Sequence, residues 1–289
     1  MKSAIEEAVK ATGDVTPIDK CEAVSGGSIN DTFYIKTGSQ EYFAKLNRSA
    51  PEDFFDAEEK GLRLLEQNGI RVPKPLIILP RREQTEMVFL MEWIPSVKSR
   101  GKVDRALGSL VAEMHQKKAS SVGLAESNYI GELHQPNHEE RNWVSFFRDH
   151  RLGAIQKIAV EKGILSQERN NQLDKLKDNL SSLLGHNPDI SLLHGDLWGG
   201  NWLESESGKP YLIDPAVYYG DREVDIAFTY LFGGYSTDFY AQYKADYPLQ
   251  DGWKERMPIY QLYYLLVHLV LFGESYGSAV DRILKRYTT

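Results

Sequence analysis

Cysteine is nearly missing from this 289-residue chain: Cys21 stands alone, so no intrachain disulfide can form, and a disulfide-stapled scaffold is excluded. An excess of positive charge is missing too. Lys and Arg number 34 against 41 Asp and Glu, for a net charge of −7. That balance excludes the broad basic face of a nucleic-acid binder, and the short cluster Pro80, Arg81, Arg82 is solvated loop charge. No hydrophobic run is long enough for a membrane. The most apolar stretch, IYQLYYLLVHLVLFGESYG at 259–277, has an unbroken run below the roughly 18 to 20 residues that span a bilayer. With His268 inside it, it is expected to be a buried helix. The opening MKSAIEEAVKATG is a charged amphipathic helix pattern without the apolar core of a signal peptide. Neither internal repeats nor low-complexity segments occur, and the expected compartment is the cytoplasm.

What is present is an ordinary globular composition, 42% hydrophobic and 26% charged, whose texture changes once along the chain. Residues 20–46 alternate apolar and polar side chains between Gly and Ser clusters, predicting three short antiparallel strands. PEDFFDAEEKGLRLLEQNG, with Phe54, Phe55, Glu58, Leu62, Leu65 and Gly69, predicts an amphipathic helix ending in a glycine cap. PLIILP and EMVFLMEWI add two strands. From Lys102 onward the patterns are mainly helical, at 102–117, 139–160, 166–185, 222–232 and 252–275, around a strand cluster at 190–213. The expected fold class is therefore α+β, with a β-rich lobe over 1–92 and a larger helical lobe over 93–289 joined near MEWIPS.

That layout gives meaning to SLLHGDLWGGNW at 191–202. In a β-then-α protein, a second-lobe loop with H-x-D-x-x-x-x-N spacing is how phosphoryl-transfer enzymes place a catalytic base and a metal-binding amide. Asp196 is the candidate base and Asn201 the candidate amide. Downstream, YLIDPA carries Asp214, a carboxylate suited to the Mg²⁺ that bridges nucleotide phosphates. In the first lobe, SGGSIND sets Gly26, Gly27 and Ser28 between two strands, where backbone N–H groups can approach phosphates; Gly-Gly is equally good hairpin chemistry. Lys45 on the third strand can reach the α and β phosphates, and Glu58 on the next helix can pair with it. Singly, each of these is ordinary. Their order and their distribution over the two lobes point to an ATP-dependent kinase using Mg²⁺.

HGDLWGGNW, IDPAVYYGDREVDIA, NYIGELHQPN followed by NWVSFFRDHRL, and FAKLNR together resemble the fructosamine kinase (ketosamine 3-kinase) family, a branch of the aminoglycoside phosphotransferase and choline kinase-like group with a two-lobed protein-kinase-like fold. The resemblance runs from about residue 15 to 280. It implies ATP-dependent phosphorylation of the O3 hydroxyl of a free or protein-linked ketosamine, a fructosamine or ribulosamine adduct, in deglycation. It also implies Asp196 as the base, Asn201 and Asp214 as metal ligands, and Lys45 with Glu58 as the phosphate-orienting pair. Met91, Glu92 and Trp93 would form the hinge that meets adenine, and Trp198 would sit against the sugar, whose C–H faces pack on an indole.

Further expectations attach to single residues. Core packing is the alternative for Trp198. His194 is expected to orient its loop, His115 and His268 to be satisfied core histidines, and Asp225 to anchor the catalytic loop through backbone N–H groups. Where many family members carry a cysteine in the glycine loop, this chain has Ser28, which leaves thiol-based regulation without its thiol. YYGDRE puts Asp221 where a histidine is common in the family, an extra carboxylate near the site that would suit an amine-bearing substrate. Phosphorylation of another small hydroxyl compound (an aminoglycoside, choline or a thiosugar) and a nucleotide-binding pseudokinase are the competing functions.

Overall fold

The computed structural model describes residues 2–24, 29–82, 86–97 and 103–288. A first helix, α1 (Lys2–Ala11), precedes strands β1 (Ile18–Ala23), β2 (Asp31–Thr37) and β3 (Glu41–Asn47); α2 (Phe54–Gln67) follows, then β4 (Pro75–Leu79) and β5 (Met87–Glu92). These strands form one antiparallel sheet in the order β1-β2-β3-β5-β4. In its register Lys45 lies opposite Thr32 on β2 and Phe89 on β5. Strand β5 is an unbroken apolar run, rather than an alternating one, because both faces of the sheet are covered. Its Val88 and Leu90 pack with Ala4, Ile5, Ala8 and Val9 of α1. The alternate residues Met87, Phe89 and Met91 pack with Phe55, Leu62 and Leu65 of α2. Helix α2 stops where Gly69 adopts φ +83° and its N–H returns to the Glu66 carbonyl at 2.9 Å, a left-handed turn that glycine makes without Cβ strain.

The rest of the chain is mainly helical: α3 (Asp104–His115), α4 (Trp143–Phe146), α5 (Ala154–Glu161), α6 (Gln167–Asp178), α7 (Leu180–Leu183), α8 (Glu223–Thr229), α9 (Thr237–Asp246), α10 (Trp253–Phe272) and α11 (Gly277–Thr288). Short pairs of strands interrupt it: β6 (Asn128–Ile130) with β7 (Leu133–Gln135), β8 (Ile190–Leu193) with β11 (Tyr218–Asp221), and β9 (Trp202–Glu204) with β10 (Pro210–Leu212). Helix α10 is the apolar stretch singled out above, buried along most of its length in the largest core cluster. No helix among the described residues is long and apolar enough to cross a membrane.

Two expectations need correction. The helix expected over 139–160 begins only at Trp143, where the Asn142 side chain caps the Ser145 N–H at 2.9 Å. It then widens into a π-helix over Phe147–Gly153, and that turn carries Arg151 inward to donate to the Pro136 carbonyl (2.7 Å) and Asn137 Oδ1 (2.6 Å). The helix expected over 166–185 is broken at Asn179, whose side chain bonds back to the Lys175 carbonyl. Helices α9 and α11, strand β11 and the β6–β7 hairpin had no counterpart in the sequence reading. Core packing is also continuous across residue 92, since one cluster holds Phe89 and Met91 together with Leu107, Ile226 and Tyr243.

Candidate active site

Strand β8 delivers the chain into the turn His194-Gly195-Asp196, and the neighbouring elements fix that turn. Gly195 has φ +79°, and a Cβ there would stand 2.0 Å from the Ala216 carbonyl oxygen, so only glycine fits. Asp225 on α8 is fully buried and accepts the N–H of His194 at 2.7 Å and of Gly195 at 3.0 Å. Its Oδ2 also faces His115 Nε2 at 3.1 Å, while His115 Nδ1 meets the Tyr243 hydroxyl at 2.8 Å. The Tyr264 hydroxyl of α10 donates to the Gly195 carbonyl at 2.9 Å. His194 is buried, with Nε2 at 3.0 Å from the Ile213 carbonyl and Nδ1 at 3.3 Å from the Asp196 N–H. Burial pushes the imidazoles of His115 and His194 below the usual range, so both are neutral hydrogen-bonding struts.

Asp196 is half-buried. Asn201 Nδ2 donates to its carboxylate at 2.7 Å and to its carbonyl at 2.9 Å. Burial raises the carboxyl to about 7, with the Asn201 hydrogen bond opposing and the nearby charge of Asp214 reinforcing the shift. That is the range a general base needs at neutral pH. Asp214 has φ +55°, the one positive value outside glycine among the described residues. Strain of this kind gathers at functional sites, and here it aims the side chain at Lys45. Lys45 Nζ lies 2.6 Å from Glu58 Oε1 and 2.8 Å from Asp214 Oδ1. Burial alone would lower the ammonium, but the charges of Asp214 and Glu58 outweigh it and hold the group above its ordinary value.

At the end of β5, Met91, Glu92 and Trp93 border the same cavity, of about 630 Å³. The Trp93 ring packs against Tyr34 (centroids 4.7 Å apart) and Phe43 (6.3 Å). Trp198 is tied down through its main chain: its N–H reaches the Asp196 carbonyl (3.0 Å), and its own carbonyl accepts from Asn201 N–H (2.9 Å) and the Tyr235 hydroxyl (3.3 Å). The indole is 39% exposed and lies over Gly200, where a Cβ would come within 2.2 Å of the ring. Its side chain is therefore on the cavity and not in the core.

Lys45, Glu58, Met91, Glu92, Trp93, Asp196, Trp198, Asn201 and Asp214 thus all line one cavity. Gly26, Gly27 and Ser28 lie outside the described residues. Two other expectations fail. His268 is not sealed in the core: Nδ1 bonds the Tyr264 carbonyl at 2.8 Å, but the ring is half-buried and borders the cavity, because α10 presents this face to open space near its C-terminal end. Asp221 is 2% exposed and spent on His186 Nε2 (2.6 Å), the Tyr260 hydroxyl (2.6 Å) and the Glu223 N–H (2.9 Å). It is not among the described residues of the cavity wall. The sequence reading also missed Phe232, Leu271, Phe272 and Tyr276, which the cavity does include. The i, i+4 spacing of His268 and Phe272 was a legible sign of a shared face, whereas Tyr276 joins it from the turn beyond Gly273.

The sequence profile of the fructosamine kinase family matches residues 1–289. The chain belongs to the fructosamine kinase family. A Lactiplantibacillus plantarum protein named "Probable ketoamine kinase" is 42% identical over 274 residues, covering 94% of this chain and 96% of that protein. The crystal structure of a protein assigned as a fructosamine-3-kinase from Haemophilus somnus superposes with a TM-score of 0.88 at 30% identity, covering 100% of this chain and 98% of the other. Choline kinase LicA from Streptococcus pneumoniae shares the fold, with a TM-score of 0.68 at 17% identity over 99% and 98% of the two chains. The five-stranded sheet followed by helices is accordingly a protein-kinase-like fold. As a fructosamine kinase family member, the protein is an ATP-dependent phosphotransferase that acts on a hydroxyl group.

Proposed function

We propose that this fructosamine kinase family member phosphorylates O3 of a ketosamine, free or protein-linked, as a deglycation step in the cytoplasm. The observation that carries the reading is the placement of Asp196 beside an exposed, cavity-facing indole, Trp198, within a site that otherwise supplies the parts of a kinase. In this reading the nucleotide lies between the 1–92 and 93–289 divisions of the chain, with adenine at Met91 to Trp93 and the α and β phosphates at Lys45. LicA has been crystallised with AMP, and an aminoglycoside phosphotransferase of the same fold with AMP-PNP.

The donor set suits Mg²⁺. Asp214 offers a carboxylate, and the Asn201 amide nitrogen is committed to Asp196, which turns its carbonyl oxygen the other way; hard oxygen donors of this kind are what Mg²⁺ selects. Bound there, the ion would neutralise charge on the transferring phosphoryl group. The chain's own residues do the rest. The Asp196 carboxylate accepts the O3 proton as O3 bonds to the γ-phosphorus; the bond from that phosphorus to the β–γ bridging oxygen breaks, and ADP leaves. Asn201 holds the Asp196 carboxylate in place, Lys45 steers the phosphates, and Glu58 steers Lys45. The indole of Trp198 takes a C–H face of the sugar, contributing on the order of 0.5 to 1.5 kcal/mol beyond area burial.

Replacing Trp198 tests the substrate class. With ATP and Mg²⁺ and a panel of fructosamine, ribulosamine and erythrulosamine adducts, Trp198→Ala should lower kcat/KM for the preferred ketosamine by about tenfold or more with ATP affinity little changed. A wild-type enzyme that ignores every ketosamine yet phosphorylates an aminoglycoside or choline would overturn the proposal.

A further inference from the structure

The described part of the cavity wall is chemically divided. Its acidic and basic side chains are Lys45, Glu58, Glu92, Asp196 and Asp214, and all belong to the nucleotide side or to the reaction centre. Beyond Asp196 the wall is built from the segment after α8, the C-terminal end of α10 and the turn that follows it: Phe232, Val267, His268, Leu271, Phe272 and Tyr276. None of these carries a fixed charge. Burial pushes the His268 imidazole below its ordinary range, and its Nδ1 is occupied by the Tyr264 carbonyl, so this ring too is neutral.

The aromatic rings form one connected surface with His268 at its centre. Centroid separations from His268 are 4.7 Å to Phe232, 5.1 Å to Tyr276 and 5.5 Å to Phe272. The surface is fastened to the catalytic turn. Tyr264, which donates to the Gly195 carbonyl, is stacked on Phe228 at 3.6 Å, and Phe228 in turn meets Phe232 at 5.8 Å. Among the described residues seven large apolar side chains are exposed, and three of them, Trp198 (39%), Phe232 (41%) and Phe272 (49%), stand on this one wall. Exposed apolar surface gathered at the mouth of a reactive cavity marks a binding face.

We propose that Phe232, His268, Phe272 and Tyr276 form a subsite for the apolar stem of the substrate's amine portion, so that the enzyme prefers ketosamines whose nitrogen carries an alkyl or aryl chain. The inference rests on the ketosamine reading above and adds to it the chemistry of the aglycone. With O3 at Asp196 and the sugar on Trp198, the amine substituent leaves the sugar toward this wall. The aromatic faces also suit the protonated secondary amine at the start of that chain, since ring quadrupoles attract cations. A second ammonium further along would meet neutral apolar surface and lose its hydration, with no carboxylate among the described residues of this wall in return.

The test is a homologous series, the fructose and ribulose adducts of methylamine, butylamine, hexylamine and 1,4-diaminobutane, assayed for kcat/KM. Each methylene fully buried is worth roughly fourfold, so the hexylamine adduct should exceed the methylamine adduct by about tenfold or more, and the diaminobutane adduct should fall below the butylamine adduct. Phe272→Ala and Phe232→Ala, both at exposed positions, should each reduce the hexyl-to-methyl ratio by about threefold or more. Equal kcat/KM across the series, or a ratio unmoved in both variants, overturns the subsite while leaving ketosamine phosphorylation intact. Absence of turnover with every adduct overturns both readings.

Discussion

Asp196 is the proposed base, and its environment makes two predictions at the residue scale. With its carboxyl raised to about 7, the free enzyme loses the base form as pH falls through that value. The acidic limb of kcat/KM should therefore drop tenfold per pH unit below about 7. Asp196→Asn should lower turnover by about 10²-fold or more with nucleotide affinity retained, and should abolish the limb; an unchanged pH profile in the variant would remove Asp196 from the role. The same shift bears on stability. A carboxyl held above its unfolded value of 3.8 stabilises the fold while protonated and costs stability as pH rises from about 4 through 7. Asp196→Asn should thus be more stable than wild type above pH 7, by on the order of 1 to 2 kcal/mol because the side chain is only half-buried, and lose that advantage near pH 4. Thermal midpoints measured at pH 4 and pH 8 check the sign. At this scale the order of residues along the chain was a good guide to which groups share a cavity: Lys45, Glu58, Asp196, Asn201 and Asp214 meet in one. It was a poor guide to His268 and Asp221, because which face of an apolar helix stays open, and which carboxylate is consumed by a histidine and a tyrosine, are decided by packing between distant segments.

At the scale of elements, the turn His194-Gly195-Asp196 is held by parts of the chain far from it: Asp225 and Tyr264 from α8 and α10, with His115 from α3 behind Asp225. Gly195 is the point where no adjustment is possible. Gly195→Ala would place a Cβ 2.0 Å from backbone oxygen at φ +79°, so it should cost about 3 kcal/mol or more and remove activity. Chemical denaturation of the variant against wild type reads the loss directly, and a wild-type midpoint would contradict the geometry. Elements were legible where one physical pattern dominated. Helix α2 showed an apolar stripe with a glycine stop, and β5 a doubly covered apolar run. Helix α9 escaped because it buries only Phe239 and Tyr243, a pattern too thin to stand out. The π-helix over Phe147–Gly153 escaped because its extra residue answers to the buried Arg151, a partner no local pattern announces. Helix α11 could have been read from Val280, Ile283 and Leu284, buried at i, i+3 and i+4.

For the whole molecule, a nucleotide whose phosphates meet Lys45 and, through Mg²⁺, Asp214 would bridge the sheet and the helical part of the chain, and binding to the folded state alone stabilises it. ATP with Mg²⁺ at 100 times its dissociation constant should add about 2.7 kcal/mol, a rise of roughly 4 °C in thermal midpoint for a chain of this size. Asp214→Ala should erase the part of that shift that depends on Mg²⁺, and a metal dependence equal to wild type would remove Asp214 from the ligand set. The family and the fold were both reachable from the order of motifs, since HGDLWGGN and IDP sit on opposite sides of one hairpin and converge on the same cavity. The identity of the acceptor is the part that motifs leave open, and the aromatic wall beyond Trp198 bears on it most. The most direct measurement is to locate the transferred phosphate: wild-type enzyme is incubated with ATP, Mg²⁺ and a ribulosamine or fructosamine, and the product is examined by phosphorus–proton correlation NMR. The account predicts a phosphate coupled to the proton on C3, formed about 10²-fold or more slowly with Asp196→Asn. Phosphate on another hydroxyl, or none transferred to any ketosamine, would contradict it.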